Sequence, residues 1–310
     1  MSMAEHKRPA AEPVPMLPLG EAWSRYEAIR NRLPSVTPRG ITTRRADCLL
    51  DVAAEFDGFI FDSFGVLNVG DVAINGAAEC LGALRRLGKP FRVLTNAASY
   101  TGDVAFEKYR RMGLDVARAE IVSSRDVAFA HLGAVASGVR WGAIAAEEDV
   151  FADIPGTAII DLLSQDGAWE VAEGILFLSA ARWNGSLQDR LVAELIRRPR
   201  PVVIGNPDLV APREGGLTVE PGFWAHDLQD RTGIEPRLFG KPYPEAFSIA
   251  RDSMGPGRHA MIGDTLHTDI LGGQAAGLST ILVTDHGLFA GHDTFPVGDS
   301  LFGFKAITPA

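Results

Sequence analysis

Five short apolar runs, each ending abruptly in a polar residue, constrain this chain more than any other feature. They are Gly58–Asp62 (GFIFD), Phe91–Asn96 (FRVLTN), Leu238–Lys241 (LFGK), His259–Asp264 (HAMIGD) and Ser279–Asp285 (STILVTD). Uninterrupted apolar runs of this length read as strands covered on both faces. Stretches of helical character separate them, over residues 76–87, 102–112, 243–253 and 268–276. Strand–helix alternation predicts an α/β fold with a doubly wound parallel sheet. In such a sheet ligands bind beyond the carboxyl ends of the strands. Asp62, Thr95, Lys241 and Asp264 fall there, so four reactive side chains from distant segments are expected to converge.

A long insert separates the second run from the third. It carries strand candidates of its own at Val139–Ala146, Thr157–Asp161, Gly174–Ser179 and Pro201–Gly205, and a helix candidate at Leu187–Arg197 with Ser186 as its cap. That is enough for a second α/β unit, and 310 residues suit two domains. The expected division is a flexible tail over 1–16, a core over 17–120 and 237–310, and an inserted unit over 121–236. Before the first run, residues 20–33 have helical spacing through Trp23, Tyr26, Ile29 and Leu33, and residues 44–55 suggest a shorter helix.

The formal net charge is −9. A chain so acidic offers no basic surface to nucleic acid or anionic lipid, and no apolar run reaches the roughly 18–20 residues that span a bilayer. The N-terminus lacks the apolar stretch of a signal peptide. Cys48 and Cys80 are far apart and in no metal-ligand spacing, so a reducing cytoplasm is expected. A phosphate bound by such a chain needs a local cation, either a metal or a particular lysine.

The polar residues at the run ends form a recognisable series. FIFDSFGVLNVG resembles motif I of the haloacid dehalogenase (HAD) superfamily, VLTN its motif II, FGKPYPEAF its motif III and MIGDTLHTDI its motif IV. The order matches, and the insert lies between motifs II and III, the place of a type-2 cap. GNPDLVAP followed by GKP-x-P is similar to class IIA, the NagD-like phosphatases. The resemblance implies a Rossmann-like core with an inserted α/β cap, and hydrolysis of a small-molecule phosphate, with room for a homodimer. It implies Asp62 as nucleophile, Thr95, Asn96 and Lys241 around the phosphate, and magnesium at Asp62, Asp264, Asp269 and the backbone carbonyl of Phe64. Each residue type suits its part. A carboxylate can take a phosphoryl group and split one hard transfer into two easier ones. A divalent cation offsets the repulsion between carboxylate and phosphate. Lys241 adds a point charge, the Thr95 hydroxyl donates to phosphate oxygens, and Asp269 anchors the metal site or orients Lys241.

One position departs from the pattern. Phosphatases of this family carry a second Asp two residues after the nucleophile, which protonates the leaving group. Here it is Phe64, and loss of a general acid/base costs roughly 10²–10⁴ in rate. Three readings stay open: a phosphatase that is slow or uses another acid, a dehalogenase-like enzyme, and a ligand-binding or regulatory protein that lost turnover. The dehalogenase branch needs no metal and carries a different cap, which Asp264 and the long insert argue against. Other features read more plainly. His267 reads as an exposed or hydrogen-bonded helix-start histidine. Asn206–Pro207–Asp208 reads as a turn or as a contributor to site closure. Trp141, Trp169, Trp183 and Trp224 read mostly as core of the insert. No G-x-G-x-x-G follows the first strand, so no dinucleotide fingerprint is present.

Overall fold

A computed structural model describes residues 15–37, 43–165, 167–213, 216–288 and 290, with the strand backbone of 302–304. Seven strands form one all-parallel sheet in the order Arg44–Arg45, Phe302–Phe304, Ser279–Val283, His259–Gly263, Gly58–Phe61, Phe91–Thr95, Ile121–Ser123. The central strands alternate between two apolar clusters. Phe59, Phe61, Val93, Ala260 and Ile262 face one, while Ile60, Leu94 and Met261 face the other. Helices Ala77–Arg86 and Gly102–Arg111 cover the first face, and Ser124–Val135 and Pro244–Asp252 the second. With both faces covered, a strand has no use for polar residues until it leaves the sheet, which is why the runs end so sharply.

A second all-parallel sheet has the order Arg237–Leu238, Val202–Ile204, Gly174–Phe177, Trp141–Ile144, Ile159–Asp161. Its far face packs Ile144, Ile175 and Phe177 against Trp169, Trp183 and Trp224, with helices Gly185–Arg197 and Pro221–Thr232. Its near face shares a cluster with the first sheet: Trp141, Leu176 and Val203 pack together with Leu94, Phe247 and Met261. All four insert tryptophans are buried.

The structure revises several expectations. Leu238–Lys241 was expected to join the first sheet; instead Arg237–Leu238 pairs with Val203–Ile204 in the second. Ile121–Ser123, placed by the sequence in the insert, pairs with Val93–Thr95 in the first sheet. Asn184, not Ser186, caps helix Gly185–Arg197, accepting from Leu187 N at 3.0 Å. The helix expected over 268–276 begins as a π-turn at Leu266–Ile270 and becomes α-helical at Leu271–Ala275. Residues 1–14 of the expected tail lie outside the described residues, but Met16–Leu17 pairs antiparallel with Leu217–Thr218.

That pairing starts an N-terminal segment with a defined seat. Ala22, Tyr26, Ile29 and Leu33 bury one stripe of helix Leu19–Ala28 and the turn after it. They meet Leu209, Val210 and Leu217 from the insert and Leu271 and Leu288 from the core. Arg25 and Arg32 both pair with Asp230, and Arg32 also donates to the His226 carbonyl at 3.3 Å.

His226 records this packing as a pH dependence. It is 1% exposed, and burial, then the nearby Arg32 and Arg25, push its imidazole from 6.5 down to about 4. The unfolded chain takes the proton first, so stability is fully present above pH 6.5 and is lost as pH falls toward 4. The shift corresponds to about 3 kcal/mol. His226→Gln is expected to flatten that part of the acid limb relative to wild type, as measured by urea unfolding across this range. Parallel pH profiles for the two proteins would show that His226 titrates alike folded and unfolded.

Candidate active site

Strand ends and a short reach of backbone assemble the site. Asp62 N donates to Ile262 O at 2.8 Å, which carries the sheet pairing one residue past the strand and fixes where the carboxylate emerges. The turn that follows is pinned from below: Tyr109 donates through its hydroxyl to Ser63 Oγ, and Ser63 Oγ donates to Asn68 Oδ1, both at 2.7 Å. Ser63 N donates to Asp62 Oδ1 at 2.6 Å. Gly65 then takes φ +81° close beneath Asp264, where a Cβ would lie 2.9 Å from Asp264 Oδ2. Gly287 approaches the same carboxylate, and a Cβ there would sit 1.9 Å from Oδ2. Leu288 N donates to that oxygen at 2.7 Å, and Thr265 Oγ1 to Oδ1 at 3.1 Å.

Lys241 arrives by a route the sequence did not show. It follows a strand of the second sheet, and Asn96 seats it. Asn96 Oδ1 accepts from Lys241 N at 2.7 Å, and Asn96 Nδ2 donates to Lys241 O at 2.9 Å and to Asp208 Oδ1 at 2.8 Å. Lys241 Nζ then stands 2.5 Å from Asp62 Oδ1 and 2.7 Å from Asp269 Oδ1. The other oxygen of Asp269 accepts from Asp264 N at 3.2 Å and Thr265 N at 3.0 Å. Thr95 is buried at the neighbouring strand end, where its hydroxyl accepts from Ala97 N at 3.2 Å. Phe64 lines the same cavity as Asp62, Lys241 and Asp264.

The charges do not balance. Asp62, Asp264 and Asp269 place ligand oxygens within 4.8 Å of one another, all buried, and Asp208 lines the same cavity. One lysine faces them. Burial, then Asp269 and Asp62, holds the Asp264 carboxyl well above the usual carboxylate range; burial, then Asp269, raises Asp62 against the pull of Lys241. Burial pushes Asp208 up to about 7, against Lys241 and the Asn96 hydrogen bond. For Lys241, burial works against the charge, but Asp269, Asp62 and Asp208 outweigh it and hold the ammonium on. Clustered hard oxygens with surplus negative charge fit a divalent cation of the magnesium or calcium kind.

The structure thus brings together Asp62, Asn96, Lys241, Asp264, Asp269 and Phe64, and leaves Thr95 buried at the neighbouring strand end. Three residues were missed or underread. Asp208 was legible in the Asn-Pro-Asp sequence, but as a turn as much as a site residue. Tyr26 lines the cavity from the N-terminal helix and had no motif to mark it. His267, read as exposed or hydrogen-bonded, is hydrogen-bonded and buried: its Nε2 lies 2.6 Å from Glu27 Oε1, and its ring stacks on Tyr26 at 4.7 Å.

Comparison with known proteins agrees with this geometry. Residues 59–151 match the family model for haloacid dehalogenase-like hydrolases, and residues 238–300 match a second HAD-hydrolase-like model. The chain is 30% identical over 251 residues to glycerol-3-phosphate phosphatase of Gallus gallus, covering 74% of this chain and 80% of that one. It superimposes on 4-nitrophenylphosphatase from Thermotoga maritima with a TM-score of 0.68 at 24% identity, over 83% of this chain and 97% of that one. For glycerol phosphate phosphatase from Mycobacterium tuberculosis, in complex with calcium, the TM-score is 0.61 at 26% identity, over 76% of this chain and 68% of that one. A strand-end aspartate paired with a buried lysine and clustered with two more aspartates sits at the carboxyl ends of a parallel sheet. This chain belongs to the haloacid dehalogenase-like hydrolases, in their NagD-like phosphatase class.

The ion triad generates a stability prediction. Asp269 is 0% exposed and Lys241 2%. Replacing Asp269 with leucine leaves the buried ammonium with Asp62 alone and orphans two backbone N–H groups. Asp269→Leu is expected to cost roughly 3–5 kcal/mol, and Asp269→Asn less, since the amide oxygen still accepts. Chemical denaturation of both variants measures this. A leucine variant as stable as wild type would mean that the triad contributes nothing to the fold.

Proposed function

We propose that this chain hydrolyses a small organic phosphate through an aspartyl-phosphate on Asp62, with magnesium as its cation. The observation that carries the reading is the ion pair of Lys241 with Asp62 at 2.5 Å, backed by Asp264 and Asp269 in one buried cluster. Asp62, Asp264 and the backbone carbonyl of Phe64 would hold the magnesium, which when bound offsets carboxylate–phosphate repulsion and polarises the phosphoryl oxygens. Asp269 contributes indirectly: Lys241 and two backbone N–H groups already engage its oxygens. Lys241 binds a phosphoryl oxygen while holding Asp62 in line, and the Thr95 hydroxyl donates to another. Asp62 attacks phosphorus, the ester oxygen departs, and water then hydrolyses the acyl phosphate to regenerate the carboxylate. The inserted unit acts as the cap that excludes bulk water. The naming of the Gallus gallus relative for glycerol-3-phosphate favours a small polyol or sugar phosphate as substrate class. We place the protein in the cytoplasm, where Cys48 and Cys80, both free and buried, stay reduced.

Phe64 favours a second reading, a site that binds phosphate esters and turns them over slowly or not at all. It lines the cavity where a proton donor is needed.

Two variants separate the readings, assayed by phosphate release with and without magnesium. Asp62→Asn is nearly isosteric at a strand end and is expected to abolish turnover with the fold intact. Full activity in that variant would remove Asp62 from the nucleophile's role.

Phe64→Asp is expected to raise turnover, more on an alkyl phosphate than on an activated aryl phosphate, because the poorer leaving group needs the proton. The gain recovers part of the roughly 10²–10⁴ that acid–base catalysis supplies. No gain on the alkyl ester, in a folded and metal-bound variant, would put the binding reading ahead.

A further inference from the structure

The active-site cavity is about 50 Å³, far below the roughly 300–1,000 Å³ of sites that enclose small organic ligands. On that measure one water takes roughly 10–15 Å³, so the space is that of a few waters. Its floor is Asp62, Lys241 and Asp264, and one wall is Val210, Ala211 and Pro212 of the insert. Tyr26 also lines it, beside Phe64, Thr268 and Leu288, and comes from a segment before either family match begins.

We propose that the N-terminal segment Met16–Leu33 is a latch joining the insert to the core across the mouth of the site, and that Tyr26 sets how bulky a leaving group the site admits. This rests on the phosphoester reading for its ligand class. The latch holds both units. On the insert side, Met16–Leu17 pairs with Leu217–Thr218, Arg25 and Arg32 pair with Asp230, and Tyr26 Oη accepts from Leu209 N at 3.2 Å. On the core side, Glu27 meets His267 at 2.6 Å, and the Trp23 and Tyr26 rings both lie 4.7 Å from the His267 ring. Leu271 and Leu288 complete that contact, and Leu288 N is itself bonded to Asp264. Tyr26 is therefore held at its hydroxyl by Leu209 and on its ring face by His267, in the lining of the cavity that also contains Asp62. An ester larger than a bare phosphate needs this segment to shift. The fastenings allow it: the pairing is two residues long, and the Asp230 side chain is 38% exposed, where ion pairs are weak.

Phenylphosphonate and 1-naphthylphosphonate test the proposal, since they differ in bulk and cannot be hydrolysed. Their Kd values are measured by calorimetry with magnesium on full-length wild type, Tyr26→Phe, Tyr26→Leu and Asp230→Asn, with hydrogen exchange followed over residues 16–33. Tyr26→Leu is expected to improve naphthyl over phenyl binding by roughly tenfold, the scale of size discrimination in an apolar pocket. Tyr26→Phe keeps the ring and should leave the ratio unchanged. Asp230→Asn lies outside the site and should speed exchange across Leu19–Ala28. An unchanged ratio in Tyr26→Leu overturns the role of Tyr26, and unchanged exchange in Asp230→Asn overturns the latch. Should Tyr26→Leu fail to fold, a naphthyl gain in Asp230→Asn supports the proposal and its absence overturns it. Phosphonates that bind while the matching phosphate esters are not hydrolysed leave the latch standing and sink the phosphatase. Failure of both phosphonates to bind any of the proteins overturns both.

Discussion

Everything in this site depends on a buried ammonium between two carboxylates. Lys241 sits 2% exposed, where an isolated charge would lose its proton, and it stays charged because Asp62 and Asp269 flank it. The same geometry aims Asp62. Its oxygen toward Lys241 also takes the Ser63 N–H, so the carboxylate has little freedom to turn. Asp269 cannot move either, because its second oxygen is tied to the backbone of the Asp264 turn. Asp62, Lys241 and the second acidic turn thus form one connected object. Disturbing any part reaches the others through bonds shorter than 3.3 Å.

Much of this was legible in the sequence, for a reason in the packing. A strand buried on both faces must be apolar along its whole length, so its end shows as a sharp change of composition. Asp62, Thr95 and Asp264 were picked out that way, and the family pattern then suggested roles for them. Lys241 was expected at the end of a strand of the first sheet. Leu238–Lys241 looks like the other runs, but its strand belongs to the second sheet, and the contacts that seat the lysine come from Asn96, 145 residues away in sequence. Composition of a short run cannot say which of two parallel sheets it joins. Tyr26 could not be found at all. Its helix reads as an ordinary amphipathic element, and what distinguishes it is the tertiary surface its stripe covers.

Phe64 shows how the scaffold outlasts one of its side chains. The turn it occupies is held by hydrogen bonds of the Ser63 hydroxyl with Asn68 and Tyr109. The backbone carbonyl at that position therefore needs no carboxylate to stay in place. The main-chain ligand proposed there for a cation does not depend on which side chain the position carries.

The apolar cluster shared by the two sheets bears on how the chain is made. Trp141, Leu176 and Val203 leave the ribosome before Phe247 and Met261, with which they pack. Until those later residues emerge, the near face of the second sheet has no complete cover. The insert is thus bounded in sequence but not in its interior. Neither half of the chain closes its own hydrophobic surface, and a polypeptide stopped short of the last core strands presents a sticky face. Cover for the near face of the second sheet is complete only once Phe247 and Met261 have emerged.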